Sequence, residues 1–138
     1  MERGMFMNLY VNFAAYLGTS LLLLLIGIFL FEKSTTKLEE FQLIAQKNLT
    51  AALSLGGKLL GLAIVLGAAA EYSVSLLDMV IWGTIGIIAQ IVSFLLAELI
   101  TIRFSIHKAI EDDNRAVGFM LLALSLSVGW VVAKCLTY

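Results

Sequence analysis

The side chains best suited to chemistry in this sequence lie inside long apolar stretches. Lys58 is the only charge in NLTAALSLGGKLLGLAIVLGAA, and Gln90 ends the stretch LLDMVIWGTIGIIAQ. At a rise of about 1.5 Å per residue, both residues lie near the middle of a membrane-length helix. A lysine at that depth costs about 2.5 to 3.5 kcal/mol on insertion scales, so it must face a partner, a cavity or a ligand.

Two interpretations of Lys58 are open. No carboxylate is expected at its depth, so a structural lysine would bond to backbone carbonyls and to Gln90, the best midplane hydrogen-bond partner in the chain. In the functional interpretation, Lys58 lines a solute or anion route, or changes its protonation state in a dry site.

Two glutamates occupy matching places in the sequence. Glu32 and Glu98 lie at the ends of the first and third apolar stretches, on the side assigned below to the cytoplasm. Each is either a solvated interfacial glutamate or one of a pair of carboxylates guarding a cation path.

Two asparagines open the second and fourth apolar stretches. The side chains of Asn48 and Asn114 can each accept a hydrogen bond from a free backbone N–H, which predicts an N-cap for each helix. The alternative is that the two helix N-termini point at an anion entering from the cytoplasm.

The elements that must position these residues are membrane helices. The chain of 138 residues is 61% hydrophobic, 14% charged and free of proline, which excludes an ordinary soluble domain. Four apolar stretches are each long enough to span a bilayer as a helix: about 9–31, 48–70, 78–102 and 114–136. We therefore predict a single all-α, integral membrane four-helix domain over residues 1–138.

The sequence contains an internal repeat. A shift of 66 positions superimposes Glu32 on Glu98, Lys37 on Arg103 and Asn48 on Asn114 without an insertion. We predict two tandem two-helix repeats, about 9–70 and 78–136, in parallel orientation because each contains an even number of helices.

Basic residues predict the orientation. Six of the nine lysines and arginines lie in or beside two loops, 32–47 and 103–114: Lys33, Lys37, Lys47, Arg103, Lys108 and Arg115. The positive-inside rule makes these loops cytoplasmic and places both termini outside. Acidic residues neutralise both loops, so we expect no nucleic-acid partner.

The first cytoplasmic loop predicts a short helix. The segment from Thr36 to Glu39 fits a capping box, and Leu38, Phe41 and Ala45 recur at helical spacing, so a short amphipathic helix would run into the second long helix. The segment from Thr36 to Lys47 is either a membrane anchor or a surface that docks a cytoplasmic protein.

The second long helix is rich in small residues. Gly57 and Gly61 form a GxxxG pattern, and the same spacing joins Ala52 to Gly56 and Ala63 to Gly67. Such spacing lets another helix approach closely, and we expect contact with the fourth helix or with its counterpart in a homo-oligomer.

Several chemistries are not supported. His107 and Cys135 are the only histidine and cysteine, so one chain cannot build a metal cluster or a Cys/His dyad. The sequence has no phosphate-binding loop. We expect no metal, no cofactor and no enzymatic activity.

Two sequence blocks resemble a known family. TKLEEFQLIAQKNLTAALSLGGKLLGLAIVL, and LLDMVIWGTIGIIAQ followed by DNRAVGFMLLALSLSVGW, are similar to the YjfL-type family of small bacterial inner-membrane proteins, a domain of unknown function numbered 350. Where that family usually has a glycine before the asparagine, this chain has Lys47. The resemblance implies a four-helix protein of the bacterial inner membrane and names no activity.

Two functions remain open from the sequence. The first is an oligomeric permeation or transport component, with Lys58, Gln90, Glu32 and Glu98 along the route. The second is a membrane scaffold or envelope-stress subunit that recruits a cytoplasmic partner through its first cytoplasmic loop.

Overall fold

The computed structural model describes residues 2–35, 40–101 and 106–136, and six helices lie in these ranges. The helices are α1 (Glu2–Thr35), α2 (Glu40–Ala45), α3 (Leu49–Tyr72), α4 (Leu76–Thr101), α5 (Ile106–Glu111) and α6 (Arg115–Cys135). The four helices α1, α3, α4 and α6 are each long and apolar enough to cross a membrane. The predicted all-α chain with four membrane-spanning helices is confirmed.

The two short helices end in the same kind of turn. After α2, Lys47 has a φ of 65°, and after α5, Asp113 has a φ of 53°. The N–H of Asn48 then donates to the carbonyl of Leu43 at 2.9 Å, and the N–H of Asn114 donates to Ala109 at 2.9 Å. A left-handed residue after a helix is a common helix stop, and here it redirects the chain into α3 and into α6.

The short helix predicted in the first loop forms, but its course differs from the prediction. It ends at Ala45, and the turn through Lys47 separates it from α3. Residues 36–39 of the predicted capping box lie outside the described residues. The second short helix, α5, was not predicted, because its six residues are too few to show a clear hydrophobic period.

Asparagine caps begin both α3 and α6. The side-chain oxygen of Asn48 accepts from the N–H of Ala51 at 2.9 Å, and that of Asn114 faces the N–H of Val117 at 3.5 Å. The amide nitrogen of Asn48 also donates to the carbonyl of Ile110 at 2.6 Å. This last bond joins the N-terminal end of α3 to the end of α5.

The closest packing in the bundle joins α3 to α6 along a glycine seam, which we define as Gly57, Gly61, Gly118 and Gly129. A Cβ on Gly129 would lie 2.7 Å from the Cα of Gly61, and a Cβ on Gly57 would lie 2.8 Å from the Cα of Leu122. Glycine therefore lets the two backbones touch. Helix α1 is much less enclosed, with 11% of its spanning window buried.

The small residues predicted for packing divide into two groups. Gly57 and Gly61 belong to the seam, so their close partner is α6 of the same chain. Ala52 and Gly56 are half-buried, and Gly67 is exposed. In the described chain, a Cβ built on Gly56 or Gly67 would have no atom of another helix within 4 Å. The shared spacing alone did not separate these two groups.

The glycine seam gives a direct packing test. We expect Gly129→Ala to lower the free energy of unfolding by about 1 to 3 kcal/mol, because its methyl group would overlap the backbone of Gly61. Gly56→Ala is the matched control and should be neutral or stabilising, because its methyl group meets open space and alanine favours the helix. Denaturant titration in detergent micelles measures both. Equal changes in the free energy of unfolding for the two substitutions would contradict the close backbone contact at the glycine seam.

Asp113, which lies outside the membrane-spanning segments between α5 and α6, also contacts the first turn of α3. Asp113 Oδ1 accepts from the N–H of Thr50 at 2.9 Å and from its hydroxyl at 2.8 Å, while Arg115 Nε lies 3.7 Å from Asp113 Oδ2. The hydrogen bond from the Thr50 backbone and then the one from its hydroxyl hold the pKa of Asp113 below its usual range, with a smaller effect of Arg115.

This contact predicts a pH dependence. A carboxyl whose pKa is lowered by folding stabilises the folded state above its usual pKa of about 4, and this contribution is lost as the pH falls through the lowered pKa. Asp113→Asn should therefore unfold more easily than the native chain at pH 7, and the difference should shrink steadily below about pH 4. Asp112→Asn, at an exposed neighbour, is the control. A difference that is independent of pH would contradict a role for the Asp113 charge.

Candidate functional site

The buried polar side chains of the described chain lie on or against α3. The set consists of Asn48, Thr50, Ser54, Lys58, Gln90 and Ser125. Together with Glu32, we call this set the polar column. Thr50, Ser54 and Lys58 recur every four residues, so they share one face of α3. The polar column therefore begins at the N-terminal end of α3 and reaches towards its middle.

An ion pair lies at the centre of the polar column. The Lys58 ammonium is 2.9 Å from Glu32 Oε1, and the two side chains are 3% and 13% exposed. The ammonium also lies 5.7 Å from the ring centre of Phe31 and 5.9 Å from that of Phe94. These two rings pack edge to face at 5.1 Å. The cation thus has a carboxylate and two aromatic rings around it.

Helix geometry explains why Glu32 reaches Lys58. Side chains on a helix point towards its N-terminus, so the lysine stem runs back towards the start of α3. Helix α1 ends at Thr35, three residues after Glu32, at the same end of the bundle. The expectation that no carboxylate lies at the depth of Lys58 is therefore wrong, because depths counted between Cα atoms omit the length of both side chains. Glu32 is not a solvated interfacial glutamate.

A second polar contact lies further along the bundle. Gln90 on α4 donates from Nε2 to the carbonyl of Ser125 on α6 at 3.2 Å. Gly61 makes room for it, since a Cβ there would lie 2.7 Å from both Gln90 Nε2 and the Ser125 carbonyl oxygen. Gln90 Oε1, the atom able to accept from lysine, has no hydrogen-bond partner among the described residues. The predicted bond between Lys58 and Gln90 is therefore absent.

The remaining predicted site residue is Glu98. It belongs to α4, four residues after Phe94, and its side chain lies outside the part of the chain that the structure describes. The geometry thus brings Glu32 and Lys58 together and places Gln90 deeper in the bundle.

Three members of the polar column, Thr50, Ser54 and Ser125, were not predicted from the sequence. Thr50 and Ser54 could have been found from their four-residue spacing to Lys58, which places them on the same helix face. Ser125 carries no such signal, because serine is common in membrane helices and often bonds to its own backbone.

The polar column stops at an apolar cluster. Beyond Gln90 and Ser125, towards the C-terminal ends of α3 and α6, the buried residues Val65, Ala69, Val132 and Leu136 pack with Trp82 and Val128. In the described residues, the buried polar side chains therefore occupy one half of the bundle.

A cavity of about 340 Å³ opens on the surface at the other end of α3 and α6. Its lining includes Glu71, Tyr72, Trp130 and Lys134, and the Lys134 ammonium lies 4.8 Å from the Trp130 ring. Within the described residues, no three His, Cys, Asp or Glu side chains come together as metal ligands.

The ion pair gives a stability prediction. Lys58→Met leaves a half-buried carboxylate without its ammonium partner and should lower the free energy of unfolding by about 3 to 5 kcal/mol. The double variant Glu32→Gln/Lys58→Met removes both charges and should recover most of that loss. Denaturant titration of both single variants and the double variant tests this. Losses that simply add would contradict an energetic coupling between the two residues.

Comparisons with known proteins agree on one family. The family model "Domain of Unknown Function (DUF350)" matches residues 5–136. The chain is 37% identical to the UPF0719 transmembrane protein YshE of Bacillus subtilis and 32% identical to the UPF0719 inner membrane protein YjfL of Escherichia coli, each over 91% of this chain and 93% of the relative. No solved structure matches significantly. With its four apolar spanning helices, the chain belongs to the DUF350 (UPF0719) family of multi-pass bacterial inner-membrane proteins.

Proposed function

We propose that this protein is a small permeation component of the inner membrane that conducts small ions along the polar column. The observation that carries the proposal is the Lys58–Glu32 ion pair inside a membrane-spanning bundle. Ionisable residues inside membrane segments are costly and typically mark ion pathways or proton relays. A buried ion pair is often no more stabilising than a well-packed apolar pair, so stability alone is a weak reason for its presence.

The dimensions of the bundle favour a small permeant. The backbones of α3 and α6 touch along the glycine seam, so a bulky solute cannot pass between them. The polar column offers hydroxyl, amide and charged groups about one helical turn apart on α3. This lining suits protons or small inorganic ions that exchange partners in short steps.

The tandem repeat is part of the proposal. Helices α2 and α5 have equivalent bounds under the 66-residue shift, and so do the left-handed positions Lys47 and Asp113. The two halves, about 9–70 and 78–136, would then be related by an axis along the membrane normal, as in parallel-repeat transporters. The shift pairs Lys58 with Leu124, so the ion pair would be a specialisation of the first half.

The orientation follows from the distribution of basic residues. With loops 32–47 and 103–114 in the cytoplasm and both termini outside, the N-terminal end of the polar column faces inward. The apolar cluster around Val65 and Val132 then separates it from the outside.

We also propose a homo-oligomer. Ala63 and Gly67 are small and exposed on α3. Gly67 also lines the surface cavity, which adds a concave surface there. Exposed small residues on membrane helices are typical of helix–helix contacts.

The alternative function is a scaffold that recruits a cytoplasmic protein. One observation favours it: Phe41 on α2 is 67% exposed, at the surface assigned to the cytoplasm. An exposed aromatic residue at a membrane interface can dock a partner or anchor in lipid. Neither function requires catalysis by this chain.

Flux through liposomes containing the purified protein tests the permeation proposal. A pH-sensitive dye inside the vesicles reports proton entry, and chloride- and potassium-sensitive dyes test the other ions. We expect flux above that of empty vesicles, and at least a tenfold loss in the Glu32→Gln/Lys58→Met variant. We expect that variant to remain folded because it leaves no unpaired charge in the bundle, so the loss of flux reports the missing charges.

Two controls separate permeation from damage to the fold. Lys33→Met removes an exposed charge next to Glu32 and should keep the native flux. Glu32→Gln/Lys58→Cys in a Cys135→Ser background leaves no unpaired carboxylate, and its thiol should react with a membrane-impermeant reagent from the cytoplasmic side if water reaches the column. Native chain with no flux, or a neutral pair with full flux, would refute the proposal. Recovery of a cytoplasmic protein that depends on Phe41 would then favour the scaffold.

A further inference from the structure

Two buried oxygens near the middle of the bundle lack hydrogen-bond partners among the described residues: Gln90 Oε1 and Ser125 Oγ. Both residues are 0% exposed. Leaving such groups unbonded is costly, and most buried polar atoms in folded proteins have a protein or water partner. This pair of orphan oxygens is therefore the strongest sign of a ligand in the described part of the chain.

The two residues that carry these oxygens form one polar node, which we define as Gln90, Ser125 and the backbone at Gly61. Gln90 and Ser125 are already joined through the bond from Nε2 to the Ser125 carbonyl oxygen at 3.2 Å. Neither residue can turn to water outside the protein, since both are fully enclosed. Gly61 lets Gln90 Nε2 and the Ser125 carbonyl oxygen lie this close to α3, since a Cβ there would be 2.7 Å from both atoms.

We propose that the polar node binds a buried water molecule. A water can donate to Gln90 Oε1 and can either donate to or accept from Ser125 Oγ, which matches the capacities of both groups. An anion does not suit an amide oxygen, which only accepts. A metal cation takes about six to eight oxygen ligands, and the two free oxygens here fall far short of that number.

This site extends the polar column without depending on the proposed permeation. Gly61 follows Lys58 by three residues on α3, so the water would lie about one helical turn beyond the Cα of Lys58, on the side away from the ion pair. The polar column would thus end in a hydrated site next to the apolar cluster.

A hydrated node and a dry node predict opposite effects of Ser125→Ala on thermal stability. If water bonds to Ser125 Oγ, Ser125→Ala removes a satisfied hydroxyl and should lower the unfolding midpoint temperature by several degrees. If the hydroxyl is unbonded, the same change removes an unpaired polar group and should leave the midpoint unchanged or raise it. Ser127→Ala, two residues away at an exposed position, is the matched control.

A direct measurement on the native protein completes the test. In lipid nanodiscs, magnetisation transfer from water to the side-chain amide protons of Gln90 should be observed, and it should disappear in Ser125→Ala. An unchanged or raised midpoint in Ser125→Ala, or no transfer to Gln90 in the native protein, would overturn the proposal. The measurement of transfer to Gln90 uses the native protein, so it tests the proposal even if Ser125→Ala fails to fold.

Discussion

A charge cannot remain unpaired inside a hydrocarbon layer, and the bundle is arranged around that constraint. Lys58 lies on the buried face of α3, and Glu32 at the end of α1 supplies its carboxylate at 2.9 Å. Helix α1 is the least enclosed spanning helix, with 11% of its spanning window buried, and it contributes Leu23 and Phe31 to the core. The ion pair therefore acts together with the contact between Phe31 and Phe94 and with the packing of Leu23 to hold α1 against α3 and α4.

The close contact between α3 and α6 depends on glycine, which has no side chain. Gly61 and Gly129 bring the backbones of α3 and α6 into contact, and the same gap beside Gly61 admits the amide of Gln90 from α4. Close packing and a buried polar group thus share one position. At the N-terminal ends of the two helices, Asn48 donates to the carbonyl of Ile110 on α5, and Asp113 accepts from the N–H of Thr50 on α3. The two helices are fixed at one end by polar bonds and along their length by backbone contact.

Sequence patterns predicted the parts of this structure that depend on local chemistry. Hydropathy and length identified the four spanning helices, and asparagine at the start of an apolar stretch identified both caps. They did not predict the partner of Lys58, because the contact depends on side-chain direction and on how far α1 extends. The turn at Lys47 was also hidden, since a left-handed residue is usually glycine and this chain has lysine there. Ser125 was missed because its role appears only once Gln90 packs against α6.

The position of the apolar cluster has a consequence for the proposed permeation. The polar column occupies the half of the bundle nearest the N-termini of α3 and α6, and Val65, Ala69, Val132 and Leu136 close the other half. A route through the membrane therefore needs a second arrangement in which this cluster parts or an oligomer interface bypasses it. The glycine seam resists sliding of α3 against α6, because their backbones already touch. Helix α1 is the least enclosed spanning helix and carries Glu32, so movement of α1 would change the environment of Lys58 at the same time. Lys58 and Glu32 would then exchange each other for new partners in the same event that displaces α1. Such an event would couple the charges inside the membrane to opening of the route.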